Sequence, residues 1–269
     1  MFFGMPSKIY NKSKETIHGT IGFISAILRM IKLVEASRVI VVFDEDCNQE
    51  RIDLSSDYKA NRTIDYFALK DDENPYNEEG KIIKCLESMK IKVLKSKCME
   101  ADDLIASLTF LFKNDNKVYI SSYDSDFFQL IDDNVSIIRY KGKNSKIVDK
   151  NIFKQQFMFE PEKYVFYKSL VGDNADNIKG ISGIGKKRAT SIVNCCEDFN
   201  QLLNIANDLL PKKVVDNLCE EKDKFLLNTS LITLTYRGEI IYDLNDFIFD
   251  VNMISLTNSQ ILSLNKIFD

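Results

Sequence analysis

The feature that most constrains the fold of this chain is an alternation of strand-like and helix-like segments in its first half. Buried strands are predicted at 38–43, 91–94, 117–121 and 135–140. Helical spacings of apolar residues predict helices at 17–34, 82–89 and 101–112 and a short helix at 127–130. Strands that alternate with helices indicate an α/β fold with a mostly parallel sheet flanked by helices.

The second half of the chain has a different pattern. From Pro161 onward the sequence is mainly helix-like, and strand-like residues return only in a polar, β-rich tail at 231–249. A length of 269 residues leaves room for one large domain and a smaller one. The sequence therefore predicts an α/β core at 1–155, and a helical region with its tail at 156–269 that packs on the core.

Composition excludes several classes of protein. An apolar fraction of 45% and a charged fraction of 28% exclude a disordered chain. The single histidine excludes a zinc site with several histidines, and the six cysteines form no Cys-x-x-Cys pair. No export signal is present, and the most apolar helix contains His18, Arg29 and Lys32. These features predict a soluble cytoplasmic protein with reduced cysteines.

Four groups of acidic residues lie mostly where a predicted strand ends or a helix begins. They are Asp44; Glu100, Asp102 and Asp103; Asp124 and Asp126; Asp173 and Asp176. In an open α/β sheet, ligands bind beyond the carboxyl ends of the strands, so these side chains are expected to converge there. Converging carboxylates repel one another, and Mg²⁺ or Mn²⁺ suits a site made of oxygen ligands. Two such ions can activate water and stabilise both oxygens of a phosphodiester displacement.

Helix capping is the competing interpretation of these acids. Asp44 after a strand is more often a cap or a surface residue, and a Glu-x-Asp-Asp group also suits the positive end of a helix dipole. Asp124 and Asp126 suit an N-cap in the same way. Four groups at element boundaries argue against capping alone, but composition by itself leaves both interpretations open.

Two basic segments are typical of nucleic-acid contacts. The segment 179–189 holds four bases, no acids and three glycines that allow a hairpin before a helix starting at Lys186. A hairpin and a helix N-terminus present backbone N–H groups to phosphate, and the bases add Coulomb attraction. The segment 58–62 places an aromatic ring beside two bases, which suits a nucleic-acid strand. By itself, that segment would be interpreted as a solvated helix surface.

Taken in order, these motifs resemble those of the 5′-nuclease superfamily of flap endonucleases and 5′–3′ exonucleases. The resemblance is strongest to the nuclease domain at the front of bacterial DNA polymerase I and its stand-alone relatives. The matching segments are 42–44, 58–62, 100–106, 122–130 and 171–185. They keep the family's order over residues 2–235, which makes the match specific. The resemblance implies a nuclease without a polymerase domain.

The resemblance also implies metal sites. A first divalent ion, Mg²⁺ or Mn²⁺, would be held by Glu100, Asp102 and Asp103 with Asp44 nearby. A second would be held by Asp124, Asp126, Asp173 and Asp176. In relatives, backbone carbonyls of the hairpin coordinate K⁺, and the corresponding residues here are Leu170, Val171, Lys179, Ile181 and Ile184.

DNA contacts follow from the same resemblance. Lys59 and Arg62 would act as catalytic residues that contact the scissile phosphate at the base of a helical arch near 63–80. Tyr58 would support the unpaired terminal nucleotides. A helix–hairpin–helix motif would clamp the duplex backbone through Gly183, Ile184, Gly185, Lys186, Lys187 and Arg188. The helical region is therefore expected to contain a DNA-binding motif.

Two departures from the family pattern affect these expectations. Family members open with a central apolar strand that ends in an aspartate ligand, whereas this chain starts at Met1-Phe2-Phe3-Gly4-Met5-Pro6. The strand and its aspartate are expected to be missing, either because Met1 is internal to a longer protein or because the chain is a degenerate form. The arch segment 65–80 is short and has a net charge of −5, so it should repel a phosphate backbone.

The sequence therefore favours a monomeric, metal-dependent 5′-nuclease that acts on DNA ends or flaps at duplex junctions in replication and repair. The expected reaction is two-metal hydrolysis that leaves a 5′-phosphate. One alternative is a junction-DNA-binding protein that is weakened as a catalyst by the missing strand. A second is a ribonuclease of a related α/β fold, which is disfavoured because the hairpin suits a duplex backbone.

Overall fold

Helices predominate over short strands in the computed structural model, which describes residues 8–11, 13–45, 49–61, 74–96, 99–236 and 241–255. The helices of these residues are α1 (His18–Val34), α2 (Gln49–Leu54), α3 (Glu79–Ser88), α4 (Ala101–Phe112), α5 (Lys150–Phe157), α6 (Tyr164–Val171), α7 (Lys186–Cys195), α8 (Phe199–Leu209), α9 (Lys212–Glu220) and α10 (Lys222–Ile232). The strands are β1 (Ile40–Phe43), β2 (Lys92–Lys95), β3 (Val118–Ser121), β4 (Val135–Arg139), β5 (Lys146–Val148), β6 (Gly172–Asp173) and β7 (Ile178–Lys179). The strands and helices predicted in the first half are therefore confirmed to within a few residues.

Parallel pairing predominates in the first half of the chain. Strand β1 pairs in parallel with β2, and β3 pairs in parallel with β4. Strand β5 joins the far edge of β4 in the antiparallel direction, while β6 and β7 form a separate two-residue hairpin. The described strands of this half thus form two sheets, of two and three strands. The α/β class with a mostly parallel arrangement is confirmed.

The apolar face of α1 forms one of two main cores. Its residues Ile21, Ile24, Leu28 and Ile31 are buried, as their helical spacing predicts, and they pack with side chains of α3. A larger core joins the three-stranded sheet to helices α5 to α9. The helical second half therefore packs directly on the α/β half.

The start of α1 is held by a residue distant in sequence. The Glu78 carboxylate, which is 1% exposed, accepts hydrogen bonds from the backbone N–H groups of Gly19 (3.2 Å) and Thr20 (2.7 Å). A carboxylate at this end satisfies open N–H groups and suits the helix dipole. This contact attaches the end of the arch segment to α1. Residues 63–73 of that arch lie outside the described part of the chain.

The prediction of a β-rich tail is wrong for the residues that the structure describes. Helix α10 continues to Ile232, and two 3-10 helices, Leu244–Phe247 and Val251–Ser255, follow. The described residues of the tail contain only an isolated bridge, between Ile248 and Arg38. Phe247 is buried against Phe112 of α4, so packing on the core, and not strand propensity, decides the tail's conformation.

No helix in the described ranges combines the length and apolar character that a membrane-spanning segment requires. Residues 1–7, where the resemblance places the departure from the family's first strand, are outside those ranges.

Candidate metal centre and nucleic-acid contacts

Three of the predicted acidic ligands form one cluster, which we call the carboxylate cluster. Asp126 starts a 3-10 helix just after β3, while Asp173 and Asp176 lie in the hairpin that follows α6. One oxygen from each carboxylate lies within 4.8 Å of the other two. Asp126 and Asp176 are buried, and Asp173 is half-buried. Three convergent carboxylates are a donor set that fits a hard divalent cation.

Glycine makes the hairpin of this cluster possible. Gly172 follows α6 with φ of +77°, and its N–H donates to the carbonyl of Lys168. A Cβ at this position would lie 2.4 Å from the backbone nitrogen of Gly180. Glycine tolerates both the positive φ and the close approach. The turn sends Asp173 back toward the residues of α6.

The side chain of Lys168 lies within the carboxylate cluster, and sequence reasoning did not identify it. Its ammonium forms ion pairs with Asp126 and, at 2.5 Å, with Asp173. Although burial favours neutral lysine, the attraction of Asp126 raises the pKa of Lys168 above its usual value. The same ammonium holds the pKa of Asp173 below its usual range, although burial acts in the opposite direction.

Glu100 and Asp102 lie at the start of α4, near Lys59. Glu100 is the N-cap residue, but its side chain makes no capping hydrogen bond. Its carboxylate instead accepts a hydrogen bond from the Lys59 ammonium at 3.0 Å and lies 3.4 Å from the hydroxyl of Tyr58. Capping alone therefore does not account for Glu100.

Two carboxyl groups titrate far above the usual range for aspartate. Burial, with the nearby Asp124 charge, raises the pKa of Asp102 to about 7 against the attraction of Lys59. Burial likewise raises the pKa of Asp126 to about 7, and Asp124 adds to the effect while Lys168 opposes it. Asp124 thus acts on acids from both predicted sites, which shows that the two groups of carboxylates are neighbours.

Asp103 is engaged with Arg51, which sequence reasoning also missed. The guanidinium donates to both oxygens of Asp103, at 2.7 and 2.9 Å, and lies 3.1 Å from Glu100. It also donates to the backbone carbonyls of Leu231 and Thr233, at 3.0 and 3.2 Å. Both carboxylate oxygens of Asp103 are thus engaged by Arg51, and the carboxylate cluster of the described residues does not include Asp103.

Asp44 and Asp124 make local hydrogen bonds. Asp44 is exposed after β1 and accepts a hydrogen bond from the Ser96 hydroxyl at 3.2 Å. Asp124 accepts one from the backbone N–H of Asp126 at 2.8 Å, in the manner of a cap. The grouped carboxylates of the described residues do not include either of them.

The segment that carries Tyr58 and Lys59 is attached to the hairpin of the carboxylate cluster. The N–H of Lys59 donates to the carbonyl of Asp176 at 3.0 Å, and the Asn61 amide donates to the carbonyl of Asn174 at 2.9 Å. Tyr58 is buried, whereas Lys59 is half-buried and lies beside the acids. Arg62, the other predicted catalytic residue, lies outside the described residues.

The basic hairpin presents its charges to solvent. Gly183 adopts φ of +84°, and Gly185 caps the start of α7. Lys186, Lys187 and Arg188 form the exposed first turn of that helix, while Ile184 is buried beneath it. The arrangement places three cations around backbone N–H groups, which fits a phosphate contact.

The carbonyls expected to bind K⁺ belong to tightly packed backbone. The carbonyl of Leu170 accepts a hydrogen bond from the N–H of Ile181 at 2.8 Å, and that of Ile181 accepts one from Ile184 at 3.0 Å. The carbonyl of Lys179 accepts one from the Asn228 amide at 3.0 Å. A Cβ on Gly180 would lie 2.4 Å from the Val171 carbonyl oxygen. These residues are close in space, but three of their carbonyls are already engaged.

Family models account for almost the whole chain. One described as 5'-3' exonuclease, N-terminal resolvase-like domain, matches residues 1–158. A second, described as 5'-3' exonuclease, C-terminal SAM fold, matches residues 159–253. The chain belongs to the 5′–3′ exonuclease family. The resemblance drawn from the sequence motifs is thereby confirmed.

Individual relatives agree with the family assignment. A 5'-3' exonuclease of Mycoplasmopsis pulmonis is 29% identical to the chain over 95% of the chain and 82% of the relative. A DNA polymerase I of Borreliella burgdorferi is 30% identical over 84% of the chain but only 24% of the polymerase. A solved T5 5'-exonuclease with bound divalent metal ions has a TM-score of 0.68 at 24% identity, covering 83% of each chain. The catalytic core of Rad2 in complex with DNA substrate shares the fold at 14% identity, with a TM-score of 0.55 over 92% of this chain and 82% of that one.

Proposed function

We propose that this family member is an Mg²⁺- or Mn²⁺-dependent 5′–3′ exonuclease and flap endonuclease that hydrolyses DNA at 5′ ends and junctions. The observation that supports it most directly is the convergence of Asp126, Asp173 and Asp176 within 4.8 Å, close to acids of α4. Enzymes of DNA replication and repair act on such ends. The DNA complexed with Rad2 and the metal ions bound to the T5 protein are properties of those proteins, and they support the proposal.

The acids divide into two proposed metal positions. The carboxylate cluster with Asp124 supplies one set, and Glu100 with Asp102 supplies the other. Asp103, which is paired with Arg51, is assigned to the same set as Glu100 and Asp102. Asp44 is assigned to a position near that set. When bound, a pair of divalent ions would activate water and neutralise charge on the phosphodiester.

The chain's own cations would position the DNA. Lys59 stands 3.0 Å from Glu100, where an ammonium can contact a phosphate oxygen that approaches the acids. We assign Arg62 to the same task. The exposed bases of the α7 turn contact the duplex backbone, and K⁺ at the adjacent carbonyls would strengthen that contact.

The proposal is tested with a labelled 5′-flap DNA and an Asp126→Asn variant. Wild-type protein should cleave in Mg²⁺ and stop in EDTA, and the variant should lose cleavage by about 10²-fold or more because a ligand oxygen is replaced by an amide. DNA affinity in Ca²⁺ should change little, since phosphate contacts lie elsewhere. Asp208→Asn removes an exposed carboxylate of α8 and serves as the matched control.

Different failures of this test have different meanings. Full cleavage by Asp126→Asn would contradict the assigned metal position. Binding to flap DNA without cleavage in Mg²⁺ or Mn²⁺ would instead identify a junction-binding protein. Equal cleavage of a matched RNA flap would contradict DNA as the substrate class.

A further inference from the structure

A buried lysine lies among the acids that the proposed function assigns to a divalent ion. Lys168 is 4% exposed, and its position on α6 directs the ammonium into the carboxylate cluster. The ammonium pairs with Asp126 and Asp173, two of the three carboxylates that approach one another within 4.8 Å. A buried cation among these carboxylates is unexpected at a site whose only role is to bind a metal ion.

The hydrogen-bonding capacity of this ammonium is fully used. Lysine offers three N–H donors, and Lys168 has three acceptors: Asp126, Asp173 at 2.5 Å and the Ser125 hydroxyl at 3.1 Å. The position of the ammonium is therefore fixed by these three contacts. A fully paired buried charge is costly to remove, because its partners are left buried without a counter-charge.

The carboxylate oxygens of Asp126 and Asp173 have two competing partners, the Lys168 ammonium and a divalent ion. Three neighbouring carboxylates repel one another, and an ammonium between them offsets that repulsion. A divalent ion at the cluster needs oxygens of Asp126 and Asp173 as ligands, and these are the groups to which Lys168 is bound. The positive charge of Lys168 also repels any cation that approaches them.

We propose that Lys168 is the internal counter-cation of the carboxylate cluster. It holds Asp126 and Asp173 together when no divalent ion is bound, and it competes with the ion for their oxygens. The inference rests on the proposed function, because it takes this cluster to be a metal position. Lys168 is a positioning residue here, and it lowers the affinity of the cluster for divalent ions.

The test measures Mn²⁺ binding by calorimetry and by electron paramagnetic resonance, independently of activity. Lys168→Met removes the charge, so Mn²⁺ should bind at least about tenfold more tightly than to wild type. Lys168→Arg keeps the charge and should stay near the wild-type affinity. Lys163→Met is the control, because Lys163 pairs with Glu197 and with carbonyls at the end of α7, away from the cluster.

A second measurement separates this role from simple packing. Without metal, Lys168→Met should melt at a lower temperature than wild type, and saturating Mn²⁺ should restore more stability to it than to wild type. A variant that loses stability but binds Mn²⁺ with unchanged affinity would overturn the inference and leave the proposed function intact. Should Lys168→Met not fold, Lys168→Gln replaces it in both measurements. Absence of Mn²⁺ binding in wild type and all variants would overturn both proposals.

Discussion

Arg51 and Asp103 form a buried ion pair at the start of α4. Arg51 lies on the short helix α2, yet its guanidinium makes contacts with Asp103 and Glu100 of the α4 start and with two carbonyls near Thr233. The side chains of Arg51 and Asp103 are 9% and 4% exposed. In such a site the guanidinium fork is matched to the carboxylate, and a lysine cannot reproduce all of its contacts.

Removing Arg51 should therefore destabilise the whole protein. We expect Arg51→Met to lower the free energy of unfolding by about 3–5 kcal/mol, because Asp103 stays buried without its cation and Glu100 keeps only Lys59. Urea unfolding followed by circular dichroism measures the change. Lys113→Met breaks the more exposed pair with Asp132 and should cost only about 0–1 kcal/mol. Equal losses in the two variants would contradict a structural role for Arg51.

Among the described elements, α7 and its preceding hairpin are the ones that we propose to contact DNA. The first turn of α7 carries Lys186, Lys187 and Arg188 in exposed positions, and Arg188 donates to the carbonyl of Gly183. Asn217 of α9 braces the hairpin by donating to the carbonyl of Ser182 at 3.0 Å. The element is thus a rigid, cationic surface with no acid in its first turn.

Neutralising this turn should weaken DNA binding without changing its sequence dependence. Removal of one cation that touches a phosphate should reduce the slope of log K against log salt by about 0.9 for duplex DNA. Lys186→Gln and Lys187→Gln are measured singly and together by fluorescence anisotropy over a salt series. Lys117→Gln is the control. Lys117 directly precedes β3 and is not part of the α7 turn, so this variant should leave the slope unchanged. A slope that stays at the wild-type value in the double variant would show that the hairpin does not contact DNA.

Elements with a strong local pattern could be predicted from the sequence, whereas features that depend on residues distant in sequence could not. The apolar spacing of α1 identified a buried helix face, and the apolar run at 38–43 identified strand β1, whose side chains are half-buried. The rule for strand ends fits Asp126, which follows β3, whereas Asp173 lies in the hairpin after α6 and was grouped with Asp126 only through the family resemblance. Lys168 and Arg51 carry no such signal, because a buried cation is recognised only by partners distant in sequence. The tail was mistaken for strands because its Thr, Ile and Tyr residues favour β structure, whereas contacts of Phe247 with α4 hold it in another conformation.

At the scale of the molecule, the candidate site joins the two halves matched by the two family models. The first half provides Lys59, Glu100 and Asp126, whereas Asp173 and Asp176 come from the second. The segment around Lys59 is also hydrogen-bonded to the hairpin of the second half, through the carbonyl of Asp176. We therefore expect a change of charge at these acids to alter the stability of the protein.

The stability of the metal-free protein should rise when the pH is lowered from about 8 toward about 5.5. Asp102 and Asp126 have folded-state pKa values of about 7, above the value of about 4 for an unfolded aspartate. Between these values the folded state binds more protons than the unfolded state, so the free energy of unfolding falls as pH rises. Acids with lowered pKa values, such as Asp173, act only near and below pH 4.

Melting temperatures in EDTA across this pH range measure the effect, and Asp126→Asn provides the comparison. The variant lacks one of the two titrating carboxyls, so its melting temperature should rise less on acidification than that of wild type. Saturating Mg²⁺ should reverse the trend in wild type, because protons then compete with the ion for the same oxygens. Identical pH dependence of wild type and variant in EDTA would mean that Asp126 is already charged in the folded protein near pH 6. In that case Lys168, and not protonation, must balance its charge in the absence of metal.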